Sequence, residues 1–345
     1  MEKRQFGTTN RGEEASLYLL ENKNGMKAAI TDFGAIIVSL CVKDKDGNYR
    51  DVVLGYDKAS DYQVNSFYFG ACIGRNGNRI SDSKIVIDGQ EYDLEVNDNE
   101  NNLHSGTNGV HDYVWNVDSY EEDKIVLSIV SKDKEQGFPG NMNIRVTYTL
   151  TDENALQIDY EAVSDKKTVA NLTNHSYFNL DGHASGPILG QELKVCSSNL
   201  TPVVNSHAIP TGELMPVAGT PFDFLTFTKI GDRIEEADEQ MIFGGGYDHN
   251  YALDKTGHEM CLAAAAKAAE SGIEMEVYTD CVGMQFYSGN FIKPHTGKGG
   301  AAYDKRHGFC LETQYFPNAV NEPKFESPVI EAGEVYRSTT AYKFS

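Results

Sequence analysis

Three segments, 125–131, 144–150 and 155–163, alternate apolar and polar residues or nearly so, and Thr151-Asp152-Glu153-Asn154 separates the last two. A period of two puts every second side chain on one face of a strand, so these segments suit half-buried strands and not amphipathic helices. The intervening four residues have turn chemistry. The rest of the chain repeats the theme. Segment 28–42 is β-rich and broken at Asp32-Phe33-Gly34, segment 51–55 is short and apolar, and segment 84–94 predicts a hairpin turning at Asp88-Gly89. Further strands are expected at 192–196, 274–279, 284–287 and 308–311, with a closing strand over 335–344.

Helix signals are few. Thr228 is a candidate cap for a short helix over 229–240, which Gly231 weakens. Segment 261–270 contains six alanines and has high local helix propensity, but its neighbours are strand-like and Ser271-Gly272 follows as a turn. Strand plus loop is the preferred reading there. No linker, repeat or composition shift divides the chain, so residues 1–345 are expected to form a single all-β domain, a large antiparallel β-sandwich with few short helices.

Charge narrows the partners. The 345 residues carry 30 Lys plus Arg against 51 Asp plus Glu, a formal charge of -21. Such a surface repels phosphate backbones and anionic lipid, so neither nucleic acid nor membrane is an expected partner. No apolar run approaches the ~20 residues of a membrane span, and the polar opening Met1-Glu2-Lys3-Arg4-Gln5 does not resemble a secretory signal. The six cysteines are scattered without a C-x-x-C pair, which suits a reduced, cytoplasmic protein with no zinc cage. The expected assembly is a monomer or a homodimer.

Polar clusters recur along this β-rich frame. Residues 171–180 read Asn-Leu-Thr-Asn-His-Ser-Tyr-Phe-Asn-Leu, placing His175 among amides, hydroxyls and aromatics. Residues 74–80 read Gly-Arg-Asn-Gly-Asn-Arg-Ile, with Asn78 and Arg79 among several donors in a tight turn. His104 lies in Leu-His-Ser-Gly, Asp248 precedes His249, and Gln285 sits among aromatics. Glu312 directly follows an apolar run, where a carboxylate is costly unless paired or working. The histidines are isolated, with no H-x-x-x-H, so no metal is expected. There is no G-x-S-x-G elbow for a serine hydrolase, no phosphate loop and no dinucleotide fingerprint. What remains is a carboxylate and a histidine working as base and acid, with Asn, Asp, Gln and Arg holding hydroxyls, which fits carbohydrate chemistry without a cofactor.

Together the clusters resemble the aldose 1-epimerase family, the galactose mutarotases. The resemblance rests on the 171–180 motif, Gly-Arg-x-x-Asn-Arg-Ile at 74–80, Leu-His-x-Gly at 103–106, Asp-His-Asn at 248–250, Gln-Phe-Tyr-x-Gly-Asn at 285–290 and Phe-Cys-Leu-Glu-Thr-Gln at 309–314. Asn76-Gly77 stands where members often carry two apolar or small residues. The resemblance implies a mutarotase-like supersandwich that interconverts the α and β anomers of free aldoses such as D-galactose and D-glucose. It implies His175 as general acid, Glu312 as general base, His104 as support beside the ring oxygen, and Asn78, Arg79, Asp248 and Gln285 as holders of sugar hydroxyls. Opposite charges on Glu312 and His175 are expected to keep both in working form. A non-catalytic sugar-binding protein and an enzyme for another sugar or a sugar phosphate are the competing readings.

Overall fold

The computed structural model describes residues 2–64 and 67–345. The alternating segments become the middle of a nine-stranded antiparallel sheet. Its order is Asn116–Tyr120, Lys124–Ser131, Met142–Leu150, Ala155–Ser164, Val335–Phe344, Glu274–Thr279, Cys261–Lys267, Glu192–Val195 and Thr228–Lys229. Along Met142–Leu150 every second residue is buried, and Val335–Phe344 does the same on its half of the sheet. One face thus carries Ile144, Val146, Tyr148, Ile158, Tyr160 and Tyr342 into the core.

A five-stranded meander, Glu2–Thr8, Glu14–Glu21, Lys27–Thr31, Ile36–Lys43 and Tyr49–Asp51, pairs each strand with the next. The break at Asp32-Phe33-Gly34 is real, and Gly34 takes a φ of +64° where a Cβ would lie 2.4 Å from the His111 carbonyl oxygen. The hairpin forms as Lys84–Ile87 against Gln90–Asp93, with positive φ at both Asp88 and Gly89, as a tight primed turn requires.

A second five-stranded sheet runs Met215–Pro216, Asn199–Thr201, Asp248–Ala252, Gly283–Tyr287 and Cys310–Gln314. Its last three strands are buried at every position, so both faces are covered. One face bears Tyr251, Met284, Phe286 and Leu311, which join the main core. Tyr342 on the nine-stranded sheet donates to the Leu311 carbonyl at 3.0 Å, tying the two sheets together. The opposite face carries the polar groups considered below.

Two expectations about local structure are decided by tertiary pairing. The alanine-rich segment is the strand Cys261–Lys267, clasped between Glu192–Val195 and Glu274–Thr279, with Ala263 to Ala266 buried. Ladder bonds on both sides and close packing override helix propensity. The helix expected over 229–240 does not form. Thr228–Lys229 pairs instead with Glu192 and Leu193, and Ile230 and Gly231 donate to Gln191 and Leu189. Their backbone is already committed to the sheet, and Gly231 approaches Leu189 so closely that a Cβ would lie 2.8 Å from its carbonyl oxygen. Helix begins only at Glu239–Gly244, capped by Asp238, whose carboxylate accepts from the backbone of Gln240 and Met241. Among the described residues the only other α-helix is Ala59–Gln63, and none is long and apolar enough to cross a membrane.

Candidate active site

Strand alternation builds the floor of the site. In register, Asn250 lies opposite Gln285 and Gln285 opposite Glu312, while Asp248 lies opposite Tyr287 and Tyr287 opposite Cys310. Residues two apart share a face. Asp248, Gln285, Tyr287, Cys310 and Glu312 therefore project together from the sheet, while their neighbours His249, Phe286 and Leu311 project into the core.

The walls come from loops held by the asparagines of the 171–180 motif. Asn174 donates to the Gly70 carbonyl at 2.9 Å and accepts from the Ser176 backbone and hydroxyl; Asn179 donates to the Gly186 and His307 carbonyls; Asn171 accepts from Tyr315 N–H. These amides are scaffold, and from this motif His175 and Tyr177 are the side chains that line the cavity. The 74–80 turn divides in the same way. Arg75 is buried and donates to the carbonyls of Ser131, Lys132, Pro139 and Gly140. Arg79 faces the site, anchored by a 2.7 Å ion pair from Nε to Asp98.

A cavity of about 270 Å³ results, lined by His104, His175, Glu312, Asn78, Arg79, Asp248 and Gln285, every residue singled out from sequence. Phe67, Tyr68, Leu103, Tyr177, Tyr287, Phe291 and Lys293 complete the lining. Sequence reasoning did not single out Tyr68 or Lys293; the aromatic run Phe67-Tyr68-Phe69 was the available signal for the first. A second cavity of similar size lies behind Tyr68, around Phe33, Tyr62 and His111, but its one carboxylate, Asp112, is already held by Arg11 and Gln63. The chemistry is concentrated in the first.

Glu312 is 2 % exposed, its Oε2 has no hydrogen-bond partner, and that atom lies 3.7 Å from His175 Nε2. Burial, with repulsion from Asp248, pushes the Glu312 carboxyl well above the usual range, against the pull of Arg79. Burial brings His175 down to about 3. Burial thus works against the charged forms of both groups, opposite in sense to the attraction that the expected ion pair would supply. Burial also raises Asp248, whose Oδ1 accepts from Gln285 Nε2 at 2.7 Å.

His104 has a defined proton arrangement. Its Nδ1 accepts the Asn78 backbone N–H at 3.1 Å, so the neutral ring carries its proton on Nε2. Burial holds its pKa well below the ordinary value, so it stays neutral. His104, His175 and Glu312, remote in sequence, bring ligand-type atoms within 4.8 Å of one another. Isolation along the chain was thus no guide to spacing in the fold. The donor set still does not suit a cation: Nε2 of His104 is protonated, and freeing its lone pair would forfeit the Asn78 bond. As an N–H donor it suits a sugar oxygen.

A deep sheet-floored pocket with two buried carboxylates, two histidines held neutral by burial and an anchored arginine defines a class of polar, uncharged-ligand site, and comparison with known proteins gives the class its family. Residues 16–343 match the family model described as Aldose 1-epimerase. The chain is 41% identical over 321 residues to the galactose mutarotase of Homo sapiens, covering 93% of this chain and 91% of that protein. It is 35% identical over 335 residues to the aldose 1-epimerase of Escherichia coli, covering 96% of each. The solved structure of a GalM/aldose epimerase homologue from C. elegans superposes with a TM-score of 0.88 at 28% identity, covering 96% of this chain and 99% of that one. The protein belongs to the aldose 1-epimerase family.

Proposed function

We propose that the protein is an isomerase that interconverts the α and β anomers of free aldoses such as D-galactose and D-glucose by acid–base ring opening and reclosure. The observation that carries this reading is the pair of Glu312 and His175, 3.7 Å apart, buried, and otherwise unsatisfied on the carboxylate side. A small polar pocket with a proton to exchange and no committed partner for it suits a ligand that supplies both a proton donor and an acceptor.

In the proposed reaction the sugar hydroxyls crowd Glu312 and favour its anion, so the shared proton moves to His175 as the substrate seats. Glu312 then removes the proton from the anomeric hydroxyl, and Nε2 of His175 gives its proton to the ring oxygen. The C1–O5 bond breaks with its electrons going to O5, and the carbonyl forms at C1. At this point Glu312 is protonated and His175 neutral, the sense in which burial acts on each group. Rotation about C1–C2 presents the other carbonyl face, and the same transfers run backwards. Electrons and protons balance, so no cofactor is required. His104 donates to the ring oxygen or an adjacent hydroxyl, and Asn78, Arg79, Asp248 and Gln285 hold the remaining hydroxyls. Support for the last role comes from the fixed direction of Arg79 against Asp98 and of Asp248 against Gln285. Six free thiols support a reducing, cytoplasmic setting.

Polarimetry on freshly dissolved α-D-galactose tests the reading. The wild type should accelerate the drift to equilibrium, and His175→Ala and Glu312→Gln should each lose about 10²–10⁴ in kcat. Near-normal turnover in Glu312→Gln sinks the assignment of the base. No acceleration by the wild type with any aldose favours a sugar-binding role on the same fold.

A further inference from the structure

The strand that supplies Glu312 also supplies a partner for the other side of the same histidine. Cys310 and Glu312 are two residues apart on Cys310–Gln314 and share its site face. Glu312 lies 3.7 Å from Nε2 of His175, and the Cys310 sulfur lies 3.5 Å from Nδ1. The ring between them is restrained by stacking on Tyr177, with centroids 5.1 Å apart and planes at 24°, and by Tyr68 at 5.8 Å and 30°. Cys310 is fully buried and free, and burial keeps it a thiol.

Resting on the acid–base reading above, we propose that Cys310 is a positioning residue: its sulfur accepts the Nδ1–H of His175 and so fixes the neutral ring in the tautomer whose Nε2 lone pair faces Glu312. The consequence for proton traffic is direct. Nδ1 keeps its proton throughout, and one proton moves on and off Nε2 without a ring flip or a change of tautomer. The two neighbouring histidines then hold opposite tautomers, Nε2–H on His104 and Nδ1–H on His175, each set by a contact outside the substrate's reach. Sulfur is a weak acceptor, so it orients the ring without holding it as an imidazolium. That suits a group whose proton must leave again in each half of the reaction.

The test is long-range ¹H–¹⁵N correlation of the histidine rings in uniformly labelled wild-type protein at neutral pH, with His175 assigned by its loss in His175→Gln. The expected result is a protonated Nδ1 and an unprotonated Nε2 on His175. A protonated Nε2 with a bare Nδ1 overturns the proposal, whatever the activity. In Cys310→Ala the neutral ring should show both tautomers, and kcat should fall by about tenfold with KM within about twofold; Cys310→Ser, whose hydroxyl also accepts, should recover kcat to within about threefold. A folded Cys310→Ala with wild-type kcat, or a Cys310→Ser as impaired as the alanine form, also overturns it. Should the alanine form not fold, the wild-type spectrum and the serine variant still decide. Absence of aldose turnover in the wild type refutes the function reading alone, because the tautomer is read without substrate.

Discussion

Glu312→Gln should remove activity and at the same time strengthen the fold. The carboxyl is 2 % exposed with an unpartnered Oε2, and burial, then repulsion from Asp248, hold it well above its ordinary value of 4.5 despite Arg79. In the unfolded chain the same group ionises normally. Because the folded value is the raised one, no penalty exists below the unfolded value. As pH rises past it, the unfolded state releases a proton that the folded state keeps, and stability falls by about 1.4 kcal/mol per pH unit until the folded value is reached. At pH 7 this amounts to at most about 3 kcal/mol. Glutamine keeps the shape and cannot ionise. The variant is therefore expected to exceed the wild type at pH 7, by no more than that ceiling, with the gain shrinking toward zero near pH 4. Asp248, Arg79, His175 and Cys310, which face the carboxyl, are common to both proteins and largely cancel in the difference. Urea unfolding of the two proteins at each pH unit from 4 to 7 reads it. A variant no more stable at pH 7, or a gain that is the same at pH 4, refutes the claim that Glu312 is buried at a cost.

Other perturbations follow from the same geometry. Asp98→Asn removes the charge that directs Arg79, and KM for galactose should rise about tenfold while kcat changes little, as steady-state polarimetry would show. His104→Gln retains an N–H donor and should keep far more activity than His104→Ala; equal losses would contradict the donor role. Ala264→Leu, at a fully buried position in the nine-stranded sheet, should cost about 1–3 kcal/mol by overpacking, read as a lowered denaturant midpoint. Asp238→Ala should cost about 1 kcal/mol through the lost helix cap and leave turnover unchanged.

The sheet pattern was legible because a half-buried strand writes its period into the sequence. Residues 335–344 and the hairpin at 84–94 appear in the fold as expected, since their side chains and turn residues agree with their tertiary role. The helix over 229–240 was misread because Thr228 resembles a cap, and only the distant pairing with Glu192 and Leu193 shows that its backbone is already taken. The site residues were legible as types, a carboxylate after an apolar run and a histidine among amides. Their division of labour was not. Arg75 and Arg79 look alike along the chain, and only the carbonyls around Arg75 show that it braces a loop. The effect of depth on the pair was also out of reach, because opposite formal charges suggest attraction and only burial shows that both charged forms are disfavoured.

The three buried strands Asp248–Ala252, Gly283–Tyr287 and Cys310–Gln314 interleave two vocabularies, one residue for the interior and the next for the ligand. An insertion or deletion of one residue within any of them would turn a carboxylate into the hydrocarbon and a phenylalanine into the pocket in a single event. Such a sheet has no route of gradual drift in length: descendants can exchange side chains position by position, while changes in chain length are diverted to the loops that roof the cavity. New ligand preferences in a lineage of this chain would accordingly be sought first around Phe291 and Lys293, which line the cavity from outside its floor strands.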